Sequence, residues 1–193
     1  MNTMKNATLD AKTRILEIAA PIFYKHGYRA TGVDAIAKAV GVTKATLYHY
    51  FENKDKLIEE TLRHFSEYGQ SECLKLWSKK SLKPEQKLTV LFDSIEEHFR
   101  SPNCYGCPFI NAAAEYTDRH HPVRRICEQH YEFMLSHLEQ FARDAGLNKP
   151  RLLAEEIVTL INGAYTAWFT SGIADAAKQG KRMAESIIAQ HKK

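Results

Sequence analysis

Residues 33–53, VDAIAKAVGVTKATLYHYFEN, constrain the fold of this chain more than any other stretch. Val33, Ile36, Ala37 and Val40 recur at the i, i+3, i+4, i+7 interval of one apolar helix face, and Gly41 follows where a helix ends in a left-handed residue. Thr43 is then placed as side-chain N-cap of a second short helix over 44–50. In that helix Leu47 and Phe51 can anchor to a core, which turns Lys44, Ala45, Thr46, Tyr48 and His49 outward. The pattern predicts helix, tight turn, helix, with the second helix free to enter a major groove. Its outward set is polar, aromatic and cationic, a mixture that suits base edges and phosphates better than an ordinary solvated face does.

The residues around this core extend the pattern. From Arg14 the run ILEIAAPIFYKHGY carries Ile15, Ile18, Ala19, Ile22 and Phe23 at helical period, stopped by Gly27, as a supporting helix would be. Pro21 falls inside it, where its ring and missing N–H disturb the bond to the Glu17 carbonyl and predict a kink. Thr31 and Asp34 have the spacing of a capping box at the start of the second helix, with a phosphate contact from Thr31 open as well. Asn53 caps the helix that follows, and Lys54 adds a cation to that positive end, which together make a phosphate seat. The stretch from Thr31 through Gly41 to LYHYFENKDKL, together with the run from Arg14, closely resembles the N-terminal DNA-binding domain of the TetR family of bacterial regulators. The resemblance is continuous over roughly the first 60 residues. It implies an operator-binding head, with Thr31, Thr43, Lys44, Ala45, Thr46, Tyr48, His49 and Lys54 as candidate DNA contacts. His49 stands at a position that varies within such families, so the operator sequence stays open.

The remainder reads as helix throughout. One helix is expected over 54–77, spanning roughly 35 Å at the usual rise. A basic SKKSLKP linker follows, and Pro84 then starts a helix with the stripe Leu88, Leu91, Phe92, Ile95 and Phe99. Further helices are expected over about 108–116, from Pro122 to a stop at Gly146, from Leu153 to a stop near Gly172, and over about 174–191. No stretch alternates with the period of a strand, so the chain is expected to be all-α. The division expected is 1–53 as a three-helix DNA-binding head and 54–193 as a helical effector-binding and dimerisation domain. Residues 1–8 read as a disordered, lightly basic arm.

The net charge of +4 is unevenly spread. Residues 1–56 hold 9 Lys and Arg against 5 Asp and Glu, whereas 57–193 hold 18 of each. The electrostatic footprint for phosphate is thus confined to the segment with the reading motif. No stretch approaches the roughly 18 apolar residues of a membrane helix, and MNTMKNATLD lacks the apolar core of a secretory signal, so a cytoplasmic protein without membrane contact is expected. No nucleophile elbow or Gly-rich phosphate loop occurs, and no motif requires a cofactor.

One short recognition helix supplies too few base contacts for genomic specificity, because a good bidentate pair discriminates by only about 1–3 kcal/mol. Two copies in successive grooves, about 34–36 Å apart, solve this on a pseudo-palindrome. The last two helices are the candidate dimer surface: Ile157, Leu160, Ile161, Ala164 and Tyr165, with small Gly163 and Ala167 between them. The resemblance implies the same four-helix arrangement, and a small-molecule effector that changes the separation of the heads.

The most unusual part of the C-terminal region is CYGCPFINAAAEY, similar to a GC-x-F-x-N-A-A-A-E segment of one TetR subgroup. Pro108 suits the first helical position, so Cys107 lies at an N-cap, where a thiol can have a lowered pKa and react with oxidants or electrophiles, Cys104 resolving it. Asn111 and Glu115 share a helix face at i, i+4 and can orient an effector in a pocket otherwise lined by Phe92, Cys104, Cys107, Phe109, Phe133 and Trp168. Two other readings exist. One is a helical thiol oxidoreductase using Cys107 and Cys104. The other is a zinc site of Cys104, Cys107, His120 and His121, against which the adjacent histidines lack finger spacing. His130 and His137, on an apolar stripe, read as core histidines.

Overall fold

A computed structural model describes residues 11–192, and the arm at 1–8 lies outside them. The described residues contain ten helices and no strand: α1 Ala11–His26, α2 Val33–Val40, α3 Lys44–Phe51, α4 Lys54–Trp77, α5 Pro84–Lys87, α6 Val90–Phe99, α7 Pro108–Glu115, α8 Pro122–Asp144, α9 Pro150–Ser171 and α10 Ala176–Gln190. The all-α expectation is met. α1 runs through Pro21, whose position is exposed together with Glu17, so water can serve the carbonyl that the ring leaves without its N–H partner.

The single helix expected after Pro84 is instead two. Leu88 and Thr89 donate to the carbonyls three residues back, and Phe92 N–H donates to Thr89 O, so the chain tightens for one turn at Thr89. The apolar stripe survives the break, with Leu88, Leu91, Phe92, Ile95 and Phe99 all buried.

The chain forms two compact units that do not follow a cut after residue 53. The first comprises 1–67 together with 111–127, and the second 68–110 together with 128–193. In the first, Ile15, Ala19 and Phe23 of α1, Ile36 of α2, Leu47 and Phe51 of α3, and Leu57, Ile58 and Leu62 of α4 are all buried. Tyr28 stacks on Phe23 at 6.1 Å between ring centroids and is fully buried. Beyond these head residues, Ala112, Tyr116, Val123 and Ile126 are buried as well.

The core of the second unit is built on α6, α8, α9 and α10. It contains Leu88, Phe92, Leu135, Leu138, Leu153, Ile157, Ala177, Ala184 and Ile188. Gly180 fixes the approach of α10 to α6, because a Cβ there would lie 2.7 Å from Cε1 of Phe92. Only a residue without a side chain fits at that separation.

Candidate functional site

The geometry of α2 and α3 follows from their caps. Gly41 adopts φ +79°, its N–H reaches the carbonyls of Ala37 and Lys38, and Val42 N–H donates to Ala37 O at 3.0 Å, which closes α2 and turns the chain. Thr43 Oγ1 accepts from Thr46 N–H at 3.1 Å, as the sequence pattern requires of an N-cap. The two hydroxyls of Thr43 and Thr46 also bond each other at 2.8 Å. Leu47 and Phe51 are buried to almost nothing, while Thr43, Lys44, Ala45, Tyr48 and His49 are exposed and Thr46 is half-buried.

Tyr50, absent from the expected contact set, is as exposed as Tyr48, and its ring meets His49 edge-on at 5.3 Å. Lys44 Nζ lies 3.3 Å from Asp34 Oδ2, with both groups well exposed. An exposed pair of this kind contributes little and is readily exchanged for another anion.

The expectation for Thr31 needs correction, and Lys54 has a further contact. Thr31 is buried, and its hydroxyl donates to the Gly27 carbonyl at 2.6 Å. α2 begins one residue later than a capping box on Thr31 would need; Gly32 is the N-cap and no side chain caps the helix. The Thr31 hydroxyl therefore serves the α1–α2 loop, neither the α2 amides nor a phosphate. Lys54 is half-buried and tethered, with Nζ donating to the Arg29 carbonyl at 2.6 Å. One of its three protons is taken, and the others remain for an anion. Asn53 caps α4 as expected, accepting from Lys56 N–H at 2.9 Å.

Between α3 and α4 the backbone makes an unusual turn. Glu52 adopts φ +60°, ψ −53°, and Asn53 N–H donates to Phe51 O at 2.5 Å. This is the rare γ-turn with positive φ, a strained shape for a residue with a Cβ.

A second cluster in the same unit surrounds the α1–α2 loop. Both carboxylate oxygens of Glu115 accept backbone N–H groups, from Tyr28 at 2.9 Å and from Arg29 at 2.6 Å. Arg29 Nη1 donates to the Glu115 carbonyl at 3.3 Å, and its guanidinium lies 5.7 Å from the Tyr116 ring centroid. Tyr116 OH donates to Asp55 Oδ1 at 3.1 Å; burial and the neighbouring carboxylate hold its phenol well above the usual range. Glu115 is thereby bound to the head's backbone and is not an effector ligand, contrary to the i, i+4 expectation. Asn111 belongs to the same unit.

Of the remaining expected effector residues, Phe92 and Cys104 belong to one buried core and Phe133 and Trp168 pack against it, each with its own neighbours. Phe92 is sealed against Gly180. Phe109 stacks on His130 at 3.7 Å, and burial pushes that imidazole down to about 4, so it is neutral near pH 7. Phe133 joins Trp77 and His137 in an aromatic group, with Trp77 and His137 stacked at 5.2 Å, and Trp168 stacks on Phe99 at 4.7 Å.

Cys104 is buried. Cys107 receives the amides of Ile110 and Phe109 at the start of α7, yet burial outweighs them and pushes its thiol up. A nucleophilic thiol needs the opposite shift, so the oxidoreductase reading loses its chemical basis. Among the described residues no three His, Cys, Asp or Glu side chains stand together as a metal would require. The four residues of the zinc reading do not even share a unit, and His121 Nδ1 accepts from Val123 N–H at 3.3 Å.

Comparison with known proteins agrees with this surface. Residues 15–61 match the family model for bacterial regulatory proteins of the tetR family, and residues 84–184 match that for a tetracyclin repressor-like C-terminal domain. The chain is 27% identical over 158 residues to the HTH-type transcriptional regulator LmrA of Bacillus subtilis, covering 79% of this chain and 81% of LmrA. Over 54 residues it is 44% identical to the HTH-type transcriptional repressor KstR2 of Rhodococcus jostii, covering 28% of this chain and 26% of KstR2. Among solved structures, SCO4454, a TetR-family transcriptional regulator from Streptomyces coelicolor, superimposes with a TM-score of 0.86 at 28% identity, covering 95% of this chain and 96% of that one.

Proposed function

The chain belongs to the TetR family of bacterial regulatory proteins, and from that membership we propose a cytoplasmic homodimeric repressor, released from a palindromic operator by a small-molecule effector. It is a DNA-binding transcriptional regulator and not an enzyme. The observation that carries the reading is α3 itself: Leu47 and Phe51 hold it from within, and Lys44, Ala45, Tyr48 and His49 stand clear for a major groove. Lys44 and Lys54 supply mostly phosphate contacts. Thr43, Thr46, Tyr48 and His49 meet bases or the adjacent backbone.

Ile157, Ile161 and Ala164, expected in the dimer seam, are buried in the chain's own core, so the dimer surface proposed moves to the exposed side of α9 with α10. Thr159, Thr166 and Thr170 each donate their hydroxyl to the carbonyl four residues back, at 2.8, 2.9 and 2.7 Å. Their polar atoms are satisfied within the helix, which leaves methyl groups outward around exposed Gly163, where a Cβ would meet nothing within 4 Å. A narrow, low-relief face of this kind allows close helix approach. Leu152, Phe169 and Met183 are exposed hydrophobics on the same two helices. The aromatic groups around Trp77, Phe109 and Trp168 are the candidate effector contacts. No described helix is long and apolar enough to cross a membrane.

The test is selection of bound sequences from a random duplex pool, followed by titrations of Lys54→Ala and His49→Ala. Lys54→Ala should weaken every duplex alike and flatten the salt dependence, whereas His49→Ala should change which sequences are preferred. If both variants bind as the parent protein does, the assignment of α3 and the α4 start is wrong.

A further inference from the structure

The α1–α2 loop makes a small anion seat out of backbone. Gly27 is left-handed at φ +89°, and the two amides that follow it, of Tyr28 and Arg29, converge on one carboxylate. Successive N–H groups beside a left-handed residue form a concavity that favours negative charge. The fit is close, since a Cβ on Gly27 would lie 3.3 Å from Glu115 Oε1.

We propose that Glu115, far from α3 in sequence, is a positioning residue for operator binding: by occupying this seat it fixes the Arg29 carbonyl that aims the Lys54 ammonium. The proposal rests on the reading of the chain as an operator-binding regulator. The chain of contacts is short. Glu115 Oε2 holds Arg29 N–H at 2.6 Å, and the Arg29 carbonyl accepts from Lys54 Nζ at 2.6 Å. The same loop carries the Thr31 hydroxyl bond to Gly27 O that leads into α2. Loss of either carboxylate oxygen as an acceptor leaves one amide unpaired and lets the loop move. The Lys54 ammonium then has no fixed acceptor to orient it toward phosphate.

Glu115 also stands as the last residue of α7, at the negative end of the helix dipole, where a carboxylate is locally unfavourable. Replacing it by neutral Gln relieves α7 itself. A purely local effect would therefore favour the folded state, and any loss of DNA affinity must come through the loop.

The experiment uses full-length protein and a duplex selected by the parent protein from a random pool. Parent, Glu115→Gln, Lys54→Ala and the double variant are titrated, and hydrogen exchange is followed on peptides covering Tyr28 and Arg29. Glu115→Gln, whose single carbonyl oxygen can replace only one of the two acceptors, should weaken binding roughly tenfold, the scale expected when a charge-assisted hydrogen bond is lost, and should expose the amide left without an acceptor to exchange. In the Lys54→Ala background the same change should cost little more, because the relay has already lost its end point. Glu115→Asp, which keeps the charge on a stem one methylene shorter, should fall between and replaces Glu115→Gln if that variant does not fold. Full additivity with Lys54→Ala, or unchanged affinity despite lost amide protection, would overturn the proposal. A pool from which the parent selects no duplex would overturn the regulator reading first.

Discussion

Glu52 offers a test of the turn that sets α3 against α4. At φ +60°, ψ −53°, its Cβ is forced toward its own backbone, while its exposed carboxylate makes no ion pair or hydrogen bond among the described residues. Strain of this kind costs on the order of 1–3 kcal/mol. Glu52→Gly removes the Cβ, but frees the unfolded chain at a cost of about 0.4–1 kcal/mol. The balance is a stabilisation of about 1 kcal/mol, or roughly 2–4 °C in melting temperature for a chain of this size. Thermal unfolding at several fixed protein concentrations should show this gain at each, separating it from any change in self-association. The Asn53 N–H bond to Phe51 O needs no side chain, so the direction of α3, and with it operator affinity, should be retained. A variant that melts below the parent protein would refute the strain argument.

Other consequences follow from the second unit. Because burial lowers the His130 pKa to about 4, the unfolded chain binds the extra proton first as pH falls. Stability should be full above pH 6.5 and lost between there and pH 4, by up to about 3 kcal/mol, and the slope should flatten in His130→Phe. Denaturant titrations across that range measure it. Gly180→Ala places a methyl within 2.7 Å of Phe92 Cε1 and should destabilise by about 1–3 kcal/mol, with recovery in the double variant with Phe92→Leu. Gly163→Arg, on the exposed face of α9, should leave the fold intact while shifting sedimentation equilibrium toward monomer and weakening operator binding. An unchanged dimer would relocate the interface.

The head was legible in the sequence because its signals are local. Gly41 and Thr43 act on amides and carbonyls within four residues, and the 3.6-residue spacing of Val33, Ile36, Ala37 and Val40 alone decides which face is buried. Errors came where a one-residue shift changes a role. Thr31 precedes the helix start by two positions rather than one, and its hydroxyl turned back to Gly27 O. The tightening at Thr89 left no signal because the apolar stripe continues across it.

The expected effector residues are a different case. Aromatic residues at helical spacing state that a face is buried but not what covers it, and Phe92, Phe109, Phe133 and Trp168 proved to have different partners. Glu115 shows where a signal was available. Its partners are 86 and 87 residues away, beyond the reach of any periodicity. Yet a carboxylate closing a helix whose last turn carries no basic residue breaks the dipole rule. Such a violation persists only where something outside the helix repays it, and two backbone amides beside a left-handed glycine do so here. A local rule broken in the sequence can therefore mark a long-range contact that no local rule can name.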